Sequence, residues 1–180
     1  MIQASRGTNN NMNTFFQHLG DPEYMHVLLN PLPVYGLGIA TLGLLLALIA
    51  RNRRAVVVTL ALLFISGLSA WPTYQYGESA YDRVKAMSDP SGEQWLDAHM
   101  VRAEKLIGTF YIVAGLAVVA MLAPIKWPRS ADALSIITLV AAAATLGIGC
   151  WIAYAGGHIR HKEFRFEPPP PTHEEHEHEH

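Results

Sequence analysis

The sequence predicts an all-α polytopic membrane protein: a four-transmembrane-helix bundle with a short amphipathic helix in the loop between spans 2 and 3. Three observations predict it. Four apolar runs, at 31–50, 55–70, 106–124 and 133–155, divide the chain, and none holds a charged residue. Each is close to the roughly 20 residues that a helix needs to cross a hydrocarbon core about 30 Å thick. Backbone polar groups in lipid must be satisfied within the segment, so these runs are read as helices. The second run is the shortest, and Trp71 extends it to the interface.

The chain divides into a polar tail at 1–21, a bundle at 22–161 and a Pro/His/Glu-rich tail at 162–180. Residues 1–20 are rich in Asn, Ser, Gly and Gln, and the only base before the first span is Arg6, the wrong flank for a cleavable signal. Asp21-Pro22 reads as an N-cap followed by proline at the first helical position, opening a short interfacial helix over 22–29 that carries His26. Asn30-Pro31 repeats the signal and starts the first span. After Trp71-Pro72, the pattern Tyr76, Ala80, Val84, Met87 fits an amphipathic helix over 74–87, stopped by Asp89-Pro90. Ser91 and Gln94 form a Ser-x-x-Gln capping box for a helix running to Leu122. That helix is about 46 Å long at 1.5 Å per residue, so its first turns, with His99, project beyond the bilayer. Ser130 is read as the cap of the fourth span, and Gly156-Gly157 as its C-terminal stop.

Composition narrows the class. A hydrophobic share of 51% and a mean hydropathy of +0.17 reflect polar ends that dilute four apolar segments. A net charge of −2 gives no reason to expect nucleic acid. The single cysteine, Cys150, cannot form an intramolecular disulfide, lacks a CxxCH context for covalent haem, and is read as a small apolar core residue. The sequence shows no nucleophile–base pair, phosphate loop or HExxH motif, and leaves open whether the chain is an enzyme.

Basic residues set the expected orientation. Arg51, Arg53 and Arg54 crowd the turn between spans 1 and 2, and Lys126 and Arg129 occupy the turn between spans 3 and 4. Short loops dense in Lys and Arg face the cytoplasm, so both termini and the 71–105 loop are expected outside a bacterial inner membrane. Tyr35, Trp71, Tyr74, Tyr76, Trp151 and Tyr154 then fall at the outer ends of the spans, the usual level of an aromatic belt.

In this orientation three of the nine histidines reach one face: His26 before span 1, His99 before span 3 and His158 after span 4. Glu78 follows span 2 at that level. His26, Glu78, His99 and His158 together would suit a transition metal. Two imidazoles facing across the bundle would instead suit b-type haem. Trp95, His99, Arg102 and Leu106 share one helical face at i, i+4, i+7 and i+11 spacing, which makes Arg102 available to a propionate or to Glu78 or Asp82. A third reading has no cofactor, the histidines simply bonding backbone or headgroups. The tail 172–180 alternates His and Glu, a composition shared by metal chelators and purification tags, and no function is placed on it.

The segments 26–33 (HVLLNPLP), 69–72 (SAWP), Gly77-Glu78 with 80–82 (AYD), His99 with 102–104 (RAE), and 156–158 (GGH) resemble a family of four-helix bacterial membrane proteins of unassigned function. The resemblance covers about residues 22–161. It implies the bundle, favours His26, His99 and His158 as site residues, and implies a redox or metal-linked role without catalytic residues. The leading functional expectation is thus electron transfer at an outer-face haem b or transition metal, with quinol as partner. The alternative is a structural accessory subunit of a larger respiratory or photosynthetic complex, without its own cofactor, whose projecting helix could dock a cytochrome c.

Overall fold

A computed structural model describes residues 17–171, all of whose regular structure is helical. The elements are α1 (Pro22–Leu29), α2 (Leu37–Ile49), α3 (Arg53–Leu68), α4 (Ala70–Ala86), α5 (Pro90–Lys126) and α6 (Ala131–Arg160). They form four rods long and apolar enough to cross a membrane: Pro22–Ile49, Arg53–Ala86, Pro90–Lys126 and Pro128–Arg160.

Local chemistry explains each boundary. Asp21 caps α1, its Oδ1 accepting from the Glu23 N–H at 3.1 Å. Pro31 and Pro33 bring no N–H, and a widened π-type turn over Leu32–Gly36 carries the chain into α2 without breaking the rod. Asn52 caps α3 through its Oδ1, which accepts from the Arg54 and Ala55 N–H groups at 3.1 and 3.2 Å. The amphipathic helix expected at 74–87 begins earlier, at Ala70, and continues directly from the second span.

Three expected caps are replaced. Asp89, not Ser91, caps α5: its Oδ1 accepts from the Gly92 N–H at 2.7 Å, with Pro90 at the first helical position. The Asp-Pro signal that holds at 21–22 thus overrides the capping box, a carboxylate being the stronger acceptor at a helix N-terminus. Ser130 does not cap α6; its hydroxyl donates to the Trp127 carbonyl at 2.8 Å across a 3₁₀ turn. Gly156-Gly157 does not stop α6, which runs on to Arg160. The end is closed instead by Arg165, whose Nε and Nη2 donate to the carbonyls of His158 and Ile159, both at 2.7 Å. These carbonyls have no partner within the helix, so the guanidinium supplies the missing donors.

The same guanidinium reaches Asp89, with Nη1 at 2.8 and 3.1 Å from its two oxygens, and Lys162 lies 2.7 Å from Asp89 Oδ2. One carboxylate therefore caps α5 and ties it to the far end of α6. Gly92 permits the approach: a Cβ there would sit 2.8 Å from the Ile159 carbonyl oxygen.

The four rods close a ring in chain order, each packing on the next and the fourth on the first. Leu37, Leu44, Leu60, Leu63, Phe110, Val113, Ala117 and Ala142 fill its centre. Outside lie Ile39, Ile49, Val58, Ile65, Ile112 and Val140, each more than half exposed, an apolar perimeter that suits lipid. Helices in lipid gain no hydrophobic drive towards one another, so close packing at small residues carries the association. Gly67 is the tightest such contact between spans 2 and 3, since a Cβ would fall 2.7 Å from the Phe110 carbonyl oxygen. Gly67→Val is therefore expected to lower stability by about 1–3 kcal/mol through overpacking. Gly115→Val, where a Cβ meets nothing within 4 Å, is expected to be neutral in the same detergent thermal melt.

Candidate functional site

Two histidines are mounted by the same device. The Nδ1 of His26 lies 2.8 Å from the Thr73 carbonyl oxygen, and the Nδ1 of His99 lies 2.9 Å from that of Ile152. A helical carbonyl already accepts the N–H four residues on, and its second lone pair takes the imidazole. A side chain at that fourth residue leans back over the carbonyl and would collide with the ring. In both cases the residue there is glycine. A Cβ on Gly77 would stand 2.8 Å from His26 Nδ1, and one on Gly156 would stand 3.1 Å from His99 Nδ1. This is why Gly156 lies inside α6 rather than ending it.

The carbonyls also fix the protons. A carbonyl only accepts, so Nδ1 must donate, and the neutral ring then carries its lone pair on Nε2. Each histidine is thus held as a ligand-ready base, the arrangement common to metal-binding imidazoles. The two ring centroids are 6.3 Å apart with the planes at 83°. His99 is 9% exposed and His26 is half-buried. Both rings border an apolar cavity of about 70 Å³ walled by Val34, Ala70, Ile107, Phe110 and Ile152, and also a groove of about 690 Å³. The groove runs from Tyr35 and Cys150 to Glu23, Arg160 and His161.

The other expected site residues go elsewhere. His158 bonds within its own helix, Nδ1 to the Tyr154 carbonyl at 2.7 Å. Its ring is packed between Trp95 and Tyr154, at centroid separations of 4.5 and 4.3 Å. Glu78 is exposed and lines a separate cleft with Tyr81, Asp97 and Met100. Among the described residues no three His, Cys, Asp or Glu side chains converge as a metal site, so the set His26, Glu78, His99 and His158 is not assembled. Arg102 meets neither Glu78 nor Asp82; its Nη1 donates to the Trp151 carbonyl at 3.0 Å and its guanidinium lies 4.1 Å from the centre of that indole. Cys150 is exposed rather than in the core. The His/Glu tract at 172–180 lies outside the described residues.

Sequence reading missed Thr73, Gly77, Ile152 and Gly156 as parts of the site. The two glycines stood in the motifs, but the carbonyls act through backbone and leave no side-chain signature. No protein-family model, no curated protein and no solved structure matches this chain, so its chemistry has to come from this geometry.

At the outer edge of the site, Lys162, the Gly92 N–H and Arg165 hold the Asp89 carboxyl well below the usual carboxylate range. A depressed carboxylate stabilises the fold above its unfolded pKa, and that contribution is lost as pH falls through the folded value. The clamp is therefore expected to hold from neutral pH down through the ordinary carboxylate range and to release only in stronger acid. Asp89→Asn should release it at pH 7, seen as faster tryptic cleavage after Lys162 and Arg165 than in the parent chain.

Proposed function

We propose that this chain is a membrane-embedded b-type haem protein for electron transfer, in which His26 and His99 would hold the iron at the outer face. The carrying observation is the paired imidazole mount. A ring of ~1.33 Å bonds has its centroid about 1.1 Å from each nitrogen. With metal–imidazole bonds of about 2.0 Å, two rings that shared one metal would have centroids no more than about 6.2 Å apart. The observed separation is 6.3 Å, with Nδ1 of both rings already engaged by carbonyls. Two nitrogen ligands with apolar surroundings favour a flat macrocycle over a bare cation, which would need further protein ligands.

A haem held there supplies an iron that takes and releases one electron at a time. The protein's part is to fix both tautomers, to hold the rings against Gly77 and Gly156, and to keep water out with the apolar wall from Val34 to Ile152. His158, Glu78 and Arg102 have no ligand role in this reading. The dense basic turns at Arg51–Arg54 and Lys126–Arg129 support a site on the outer side of a bacterial inner membrane, since moving a charge against the potential costs about 2.3 kcal/mol per 100 mV.

Reconstitution of the purified protein with haem is expected to give a Soret band with low-spin bis-histidine character. His26→Ala and His99→Ala should each abolish that low-spin spectrum, while His158→Ala should keep it. A parent protein that takes up no stoichiometric haem would overturn the reading. Orientation is checked separately, with cysteines at Ser88 and Asn52 in a Cys150→Ala background. Impermeant maleimide on intact cells should label residue 88 and spare residue 52.

A further inference from the structure

The groove that borders both imidazoles has a polar outer end, and the charges there are already sorted. Glu23 lines it and is held by Arg83, whose Nε lies 3.1 Å from Glu23 Oε1. His161 lines it and is bonded to its own neighbour, Nδ1 to Glu163 Oε1 at 2.8 Å. The nearby cations of the α4–α6 ends are committed as well: Lys85 to Asp97, and Lys162 and Arg165 to Asp89. Arg102 is turned to the Trp151 carbonyl and does not line the groove. Arg160 is different. It lines the groove, it is exposed at the end of α6, and it has no carboxylate partner among the described residues.

The wall beneath it is suited to a flat body. Gly156 and Gly157 follow one another on α6 below Arg160, with Ala153 one turn deeper, all lining the groove with the two histidines. A Cβ on Gly157 would meet nothing within 4 Å, so that surface is open space beside the rings. Among the described residues the groove therefore offers an apolar slot with two imidazoles and one unpaired cation, Arg160, at its solvent end. Haem is complementary to this order: an apolar macrocycle with two carboxylates on one edge. Resting on the haem reading above, we infer that Arg160 binds the propionate edge, orienting the macrocycle with its carboxylates towards the outer aqueous face. Arg160, rather than the Arg102 suggested by helical spacing, is the anion-binding residue of the site. A guanidinium offers the paired donors that a carboxylate accepts.

The test compares haem with its dimethyl ester, whose esterified propionates carry no charge. The parent, Arg160→Gln and Arg102→Gln are titrated with each in nanodiscs, following the Soret band and the midpoint potential. Arg160→Gln is expected to bind haem about three- to tenfold more weakly, the range for a partly exposed charge-assisted contact. Its midpoint should fall, because an uncompensated carboxylate favours ferric iron. The ester should bind the parent and Arg160→Gln alike, and Arg102→Gln should match the parent with both compounds. Equal losses with haem and ester, or a loss confined to Arg102→Gln, would overturn the assignment. So would an Arg160→Gln chain whose only change is a lower melting temperature in phosphatidylglycerol discs, since that gives Arg160 to a lipid phosphate. Arg160→Lys, which keeps the charge, covers the case of a misfolded glutamine variant and should retain most of the affinity for haem. No Soret band in any chain defeats the haem reading itself, whereas a band insensitive to Arg160 defeats only this inference.

Discussion

Everything around the site depends on one kind of contact: an imidazole N–H donated to the spare lone pair of a helical carbonyl, made possible by a glycine four residues on. It occurs at His26, Thr73 and Gly77, and again at His99, Ile152 and Gly156. Polar links of this kind between membrane helices average about 0.6 kcal/mol and reach about 1.7. Two of them are too weak to hold four rods together, and the interlocked layer of Leu44, Leu60, Leu63 and Val113 does that. What the links provide is orientation. Each ring is pinned at one nitrogen and flanked by backbone, so rotation about its side-chain bonds is restricted and the second nitrogen is aimed.

The repetition divides the bundle into two similar hairpins. In each, a histidine near the start of one rod is fastened to the outer end of the rod that follows. His26 is held by α4 and His99 by α6. Where the two hairpins close into a ring, their histidines come together, with ring centroids 6.3 Å apart. The pairing of the two imidazoles is thus a product of the topology, and no single helix has to supply it. The Asp89–Arg165 clamp lies within the second hairpin only, stapling the ends of α5 and α6 next to His99. It stiffens the half whose histidine is the more deeply buried.

The fold was legible because lipid is a severe solvent: uncharged runs of this length have few alternatives to spanning helices. Asp21-Pro22 was also legible as the start of α1, whereas Asp89-Pro90, read only as a stop, caps α5 in place of the Ser-x-x-Gln signal. The candidate site was legible only in part. Counting histidines at one face picked out His26 and His99, which come together, but it could not separate them from His158, because the difference lies in which carbonyl each ring meets. That is a three-dimensional fact: Thr73 is 47 residues from His26, and Ile152 is 53 from His99. Helical spacing put Arg102 on the face of His99, yet the neighbouring indole of Trp151 draws it away. Gly156-Gly157 was read as punctuation because glycine usually ends helices. Here the missing side chain makes room for a ring, and Arg165 takes over the capping from a loop that sequence left unassigned.

His158 shows why a third histidine belongs beside a two-histidine site without joining it. Its Nδ1 is spent on the carbonyl one turn back, and its buried Nε2 has no partner among the described residues. The Trp95 indole N–H beside it is equally buried and unpaired. Leaving such groups unsatisfied costs about 1–3 kcal/mol each, an expense that packing must offset. The offset is a continuous aromatic layer: Trp95 is one turn from His99 on α5, and His158 lies between that indole and Tyr154. The layer stands on the aqueous side of His99 and is almost wholly buried at Trp95 and His158. An apolar shell around an imidazole limits solvent access and lowers the local dielectric. The third imidazole therefore contributes its ring face to the buried aromatic wall next to His99.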